Sequence, residues 1–100
     1  MERADIRGRI STISAPTDEA SADRVGGRIL VEGPARTGGI DKAWTAITSE
    51  TTLVRMTESG YVKVSHSALI VGNEVMVQFE GPVMESYPVQ ATAGIIVIIG

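Results

Sequence analysis

The chain of 100 residues contains no cysteine, one histidine and four aromatic residues. The absence of cysteine excludes disulfide bonds, thiolate metal sites and a cysteine nucleophile. Zinc commonly uses a tetrahedral set of Cys and His ligands, and a single imidazole does not supply one. We therefore expect neither a metal nor a cofactor, and the sequence singles out no catalytic residue.

Long apolar runs are also missing. The longest run, Ile95 to Ile99, has five residues, whereas a membrane-spanning helix needs about 20. The first ten residues alternate in charge and lack the apolar segment of a signal peptide. The sequence therefore predicts neither a transmembrane segment nor a leader within this chain.

Neither sign of charge dominates, because nine Lys and Arg face twelve Asp and Glu for a net charge of −3. A polyanion-binding surface would have to be a local patch. Arg7, Arg9 and Arg28 are expected on the outward side of neighbouring strands. Binding of a single strand also needs several stacking aromatics, which this chain lacks. Nucleic-acid binding is therefore disfavoured.

Period-two alternation of apolar residues dominates the chain. A chain of 10.6 kDa with 43% apolar residues supports one core, so residues 1–100 are predicted to form a single domain. Alternation predicts half-buried strands, and a parity shift between Ile10 and Ile13 predicts a bulge or a sharp bend. The predicted strands cover the ranges Asp5–Ile10, Arg28–Glu32, Asp41–Thr48, Thr51–Met56, Glu74–Gly81 and Ala91–Ile99.

The segments between these strands complete the predicted architecture. Residues 14–27 read as a polar loop, Gly38-Gly39 as a turn, and Gly81-Pro82 as a strand end. Residues 64–73 contain one predicted helical or 3₁₀ turn before the penultimate strand. The last strand is apolar on both parities, which indicates burial on both faces or docking on a partner. These features predict an all-β, OB-like barrel of five or six strands.

The densest group of polar side chains lies between the last two predicted strands. It comprises a carboxylate, a hydroxyl, a phenol, a proline and an amide, carried by Glu85, Ser86, Tyr87, Pro88 and Gln90. One interpretation is a binding rim. The other is structural: Tyr87 fills the barrel end, Glu85 and Gln90 bond backbone groups, and Pro88 sets the turn, with a Tyr87-Pro88 bond that is cis or trans.

Trp44 and His66 are the other candidates. Trp44 lies on the polar parity of the third predicted strand, where it either covers arginine stems across the strand or joins Tyr87 in a binding surface. His66 has Ser65 and Ser67 as neighbours, which point away from it in an extended segment, so a Ser-His-acid relay is disfavoured. No pair of carboxylates is singled out for hydrolysis.

Several segments resemble the YobA-like domain-of-unknown-function family of small bacterial proteins. The most specific is Gly81-Pro-Val-Met-Glu-Ser-Tyr-Pro-Val-Gln-Ala-Thr-Ala93, and the match extends over nearly the whole chain. Further matching segments are Asp5–Ile10, Gly27–Gly33, Asp41–Trp44 with Thr51, and Leu69–Gly72 with Val75. The resemblance implies a compact β-barrel without an established activity, extracytoplasmic or membrane-associated, whose leader would then precede Met1.

These observations favour a non-enzymatic binding or accessory module that contacts protein, glycan or cell-envelope material through Glu85 to Gln90 and Trp44. The alternative is a structural or oligomerisation domain of a larger exported protein, in which Ile96 and Ile98 supply an apolar edge. A hydrolase with carboxylate chemistry is the third hypothesis.

Overall fold

The computed structural model describes residues 4–14, 27–33 and 40–100. In these ranges the chain forms seven strands and one 3₁₀ turn, His66–Ala68. None of the described residues lies in a helix long and apolar enough to cross a membrane. The strands are β1 (Ile6–Ser14), β2 (Gly27–Glu32), β3 (Lys42–Ile47), β4 (Thr52–Thr57), β5 (Gly60–Lys63), β6 (Glu74–Met84) and β7 (Val89–Ile98).

Five strands close into a barrel. β1, β2 and β3 form an antiparallel meander, β1 also pairs with β6, and β6 pairs with β7. Parallel pairing of β3 with the first half of β7 closes the barrel, while β4 pairs with the second half of β7 and carries β5 outside the barrel. The prediction of a small OB-like barrel is thus confirmed.

The predicted alternation places the core correctly. In β2, in β3 and in β1 as far as Ile10, every second residue is buried, and those between them are exposed or half-buried. Burial of such side chains contributes roughly 25 cal/mol per Å² of apolar surface. The barrel interior is formed by Ile6, Ile10, Ile29, Val31, Ala43, Ile47, Val75, Val77, Ala93, Ile96 and Ile98.

The backbones of β1 and the end of β2 touch directly. A Cβ atom at Gly8 would lie 2.2 Å from the carbonyl oxygen of Glu32, and one at Gly33 would lie 2.3 Å from that of Arg7. Only residues without a side chain permit this contact. The bulge predicted after Ile10 is confirmed by the shift of register between Ile10 and Thr12, and it lets β1 bend from β6 towards β2.

Two strand predictions need correction. β6 does not stop at Gly81-Pro82 but continues to Met84 after a shift of register. Gly81 adopts a φ of 74° there, and the missing N–H of Pro82 is tolerated because β1 pairs with β6 only up to Val77. β5 was not predicted at all, since its four residues are exposed and show no apolar alternation.

The prediction that Ile96 and Ile98 form an apolar edge is wrong. β7 pairs with β6 on one side and with β4 on the other. Ile96, Val97 and Ile98 are at most 2% exposed. The apolar residues on both parities of this strand therefore reflect burial on both faces.

The 3₁₀ turn lies inside the predicted range, and the buried Asn73 fixes the chain that follows it. The Asn73 side chain accepts a hydrogen bond from the Ile70 N–H at 2.8 Å and donates one to the Gly100 carbonyl at 3.2 Å. It thereby joins the start of β6 to the end of the chain. Most of the loop predicted over residues 14–27, and the Gly38-Gly39 turn, lie outside the described residues.

Candidate functional site

The end of β6 and the start of β7 form a projecting hairpin, residues 80–90, which we call the arm. Residues 80–87 are all exposed. The strands of the arm come together again where Met84 pairs with Gln90. Because β7 then continues beside β3, the arm lies at the end of β3 that begins with Lys42.

Tyr87 lies outside the barrel. Its side chain is 70% exposed, so it does not fill the barrel end as the structural interpretation requires. The phenol hydroxyl donates a hydrogen bond to Oδ2 of Asp41 at 3.3 Å. The ammonium of Lys42 lies 5.8 Å from the ring centroid, within the range of a cation–π interaction. The arm thus presents one open aromatic ring beside β3.

Trp44 shares this side of the barrel. It has the same parity on β3 as Lys42, and its backbone pairs with Gln90 of β7. The guanidinium of Arg28 on β2 lies 4.9 Å from the centre of its ring. One face of the Trp44 ring is therefore in contact with the Arg28 side chain, as the interpretation that Trp44 covers an arginine requires. We call Asp41, Lys42, Trp44, Tyr87 and Gln90 together the Tyr87 face.

Glu32 of β2 supports the Tyr87 face through Lys42. Its Oε2 accepts a hydrogen bond from the Ser11 hydroxyl at 2.5 Å, and its Oε1 lies 3.4 Å from the Lys42 ammonium. The hydrogen bond from Ser11, together with the charge of Lys42, lowers the pKa of Glu32 from its ordinary value. Lys42 is therefore held between an ionised carboxylate and the ring of Tyr87.

The lowered pKa predicts a small acid dependence of stability. A carboxylate with a lower pKa in the folded chain stabilises the fold above its unfolded pKa, and this contribution is lost as the pH falls through its folded pKa. Ser11→Ala should bring the pKa of Glu32 closer to the ordinary value and reduce the loss of melting temperature between pH 5 and pH 3. Carboxyl NMR titration of both proteins measures the shift, and an unchanged pKa of Glu32 would contradict this assignment.

The other predicted residues of Glu85 to Gln90 differ in their contacts. The Ser86 hydroxyl donates to the Pro88 carbonyl at 2.9 Å, which closes the tip of the arm. The Tyr87-Pro88 bond is cis, one of the two alternatives stated above. Glu85 and Gln90 are exposed, and neither side chain forms a hydrogen bond with another described residue.

Sequence reasoning missed Asp41 and Lys42 as part of this site. Asp41 precedes β3 and Lys42 is its first residue. Only the pairing of β3 with β7 brings them close to Tyr87. The arginines considered as a nucleic-acid patch each contact a different partner within the protein. Arg7 pairs with Glu74 at 3.0 Å, and Arg9 donates to the Gly72 carbonyl at 3.0 Å.

His66 lies elsewhere, at the far end of β3. It lines an open cleft of about 460 Å³ whose walls also include Glu50 and Lys63. The hydroxyls of Ser65 and Ser67 lie 2.6 Å apart and form a hydrogen bond with each other. Within the described ranges, no group of three or more His, Asp or Glu side chains is close enough to hold a metal ion.

Comparison of the chain with protein-family models, with curated proteins and with solved structures returns no match. The resemblance of residues 81–93 to the YobA-like family therefore stays a prediction.

Proposed function

We propose that this protein is a non-enzymatic binding module that holds a neutral oligosaccharide across the Tyr87 face. The observation that carries the proposal is the position of Tyr87. Its ring is 70% exposed, yet it is tied to β3 by Asp41 and Lys42. A large aromatic ring held open to solvent exposes apolar surface, which is unfavourable, and a connecting turn does not require such a ring.

The position of this surface on the barrel supports a binding role. OB barrels bind oligonucleotides and oligosaccharides on the face of their second and third strands, bordered by the connection between the last two barrel strands. In this chain β2 and β3 contribute Arg28, Lys42 and Trp44, and the β6–β7 connection contributes Tyr87. The Tyr87 face therefore occupies the usual ligand surface of the fold.

The charges around the face favour a neutral ligand. Among the described residues, Lys42 in the face and Arg28 beside it are both engaged, Lys42 with Glu32 and Arg28 with the Trp44 ring. Asp41 and Glu85 add further negative charge at the same end of β3. A polyanion gains affinity from unpaired cations that neutralise its phosphates, and the part of this surface that the structure describes offers no excess of them.

Strand pairing favours a glycan over an extended peptide. A peptide that adds a strand needs an open backbone edge. On this face β3 is paired on one side with β2 and on the other with β7. Recognition must therefore use side chains: an open ring against which a sugar ring packs, and the carboxylate and amide groups of Asp41 and Gln90 for hydroxyl groups.

The test is a titration of the isotope-labelled protein with neutral oligosaccharides of glucose, mannose, galactose and N-acetylglucosamine, followed by NMR. We expect saturable shifts of the Trp44 indole and Gln90 amide signals with at least one series. Tyr87→Ala should weaken the affinity per chain about tenfold, because exposed aromatic residues commonly dominate binding energy. Its melting temperature should stay close to that of the wild type, since the ring is outside the core.

Tyr61→Ala is the matched control, because it removes the other exposed tyrosine, on β5. It should leave the affinity per chain unchanged. Binding of a single-stranded oligonucleotide at physiological salt, or saturable glycan binding that Tyr87→Ala does not weaken, would reject the proposal. So would the absence of binding to every neutral series.

A further inference from the structure

The open cleft of about 460 Å³ is separate from the Tyr87 face, because it lies at the other end of β3. Its volume is within the range of small-molecule sites in proteins. The turn between β3 and β4, residues 48–51, forms one wall, and Lys63, Val64 and His66 form the other. The base of the cleft is apolar and consists of two core residues, Ile47 and Leu53.

The first wall is fixed by its own hydroxyl groups. The Thr51 hydroxyl accepts a hydrogen bond from the Thr48 N–H at 2.9 Å and donates one to the Ala93 carbonyl at 2.8 Å. The Thr48 hydroxyl accepts a hydrogen bond from the Glu50 N–H at 3.1 Å. These bonds tie the turn to β7, so the backbone that carries Glu50 is in place before any ligand arrives.

The second wall is fixed by backbone hydrogen bonds. The Val64 N–H donates to the Leu53 carbonyl at 3.1 Å, which holds the residue after β5 beside β4. The Leu69 N–H donates to the His66 carbonyl at 3.1 Å and closes the 3₁₀ turn. The backbone that carries Lys63 and His66 is therefore ordered at both ends of this wall.

Charges of opposite sign line the cleft without pairing. Glu50 lies on the first wall and Lys63 on the second, and both residues are exposed. Neither forms an ion pair with the other or with any further described residue. His66 adds an imidazole N–H donor on the same wall as Lys63. The cleft thus offers a carboxylate at one wall and two donor groups at the other, with an apolar base between them.

We propose that this cleft binds a free α-amino acid with an aliphatic side chain. The ligand ammonium pairs with Glu50, its carboxylate pairs with Lys63 and His66, and its side chain lies over the apolar base. A simple anion is attracted by Lys63 but repelled by Glu50, and a simple cation meets the reverse. A zwitterion is therefore the ligand class that satisfies both walls. This site is independent of oligosaccharide binding at the Tyr87 face.

The experiment is an NMR titration of the isotope-labelled full chain with L-leucine, N-acetyl-L-leucine and L-leucinamide. Leucine carries both charges, N-acetylleucine lacks the ammonium, and leucinamide lacks the carboxylate. We expect saturable shifts of the Thr52 and Val64 amide signals and of the His66 imidazole signals with leucine. The other two probes should bind about fivefold more weakly, which is the size of effect expected for the loss of a solvent-accessible ion pair.

Two variants assign the two ends of the ligand. Glu50→Gln should weaken leucine binding about fivefold without weakening the binding of N-acetylleucine, because that probe has no ammonium to pair. Lys63→Gln should weaken leucine binding by a similar factor without weakening the binding of leucinamide, because that probe has no carboxylate. The same titrations measure both effects.

Glu58→Gln is the matched control, because it removes an exposed carboxylate of the nearby β4–β5 turn that does not line the cleft. It should leave leucine binding unchanged, and so should Tyr87→Ala, which separates this site from the oligosaccharide site. Thermal melting establishes that each variant folds. The proposal is overturned if leucine shifts no signal of the cleft, or if N-acetylleucine binds as tightly as leucine. An unchanged affinity of the Glu50→Gln protein for leucine overturns it as well.

Discussion

Gly8→Ala should lower the stability of the barrel by about 3 kcal/mol, at the upper end of the usual cost of overpacking. The new Cβ atom would lie 2.2 Å from the carbonyl oxygen and 2.5 Å from the carbonyl carbon of Glu32, and 2.8 Å from the nitrogen of Gly33. These are backbone atoms, so no side-chain rotation relieves the contact. Either β1 moves away from β2, or the pairing of these two strands opens at this contact.

Thermal and urea unfolding measure this loss, which corresponds to a fall of roughly 15 °C in melting temperature for a domain of this size. Gly100→Ala is the control, because its nearest contact would be an ordinary 3.7 Å to the Cβ atom of Glu74. It should melt close to the wild type. A Gly8→Ala protein as stable as that control would show that β1 and β2 are not in direct contact.

Local patterns in the sequence were sufficient for most of the barrel. Alternation in Ile6–Ile10 and in Lys42–Ile47 predicts which side chains enter the core, because successive side chains of a strand point to opposite faces. The parity shift after Ile10 locates the bulge for the same reason. A strand with one buried face is enough to produce this alternation in the sequence.

The elements that the sequence did not predict lack such a face. β5 is exposed on both sides, and its pairing with β4 depends on the turn between them instead of on an apolar pattern. The extension of β6 beyond Gly81 depends on a positive φ at that glycine and on an unpaired edge beside Pro82. Neither condition can be deduced from residue type, since a Gly-Pro pair more often ends a strand.

The Tyr87 face was predictable in its parts but not as an assembly. Parity places Trp44 on the outside of β3, and the density of polar groups marks Glu85 to Gln90. The contact between Asp41 and Tyr87 joins residues 46 positions apart in the sequence. It exists because β3 and β7 are parallel neighbours, a pairing that closes the barrel and leaves no local pattern.

Ile96→Ala should cost about 3 kcal/mol, within the range for an isoleucine removed from a packed core. Ile96 is fully buried in the barrel between β6 and β4, so its truncation leaves a cavity. If it were instead an edge that docks on a partner, the change would weaken association and spare the stability of the single chain. Ile70→Ala is the matched control, since Ile70 is 60% exposed and an exposed truncation costs about 0.5 kcal/mol or less. Urea unfolding of the two variants in dilute solution separates the roles, and equal stabilities would place Ile96 outside the core.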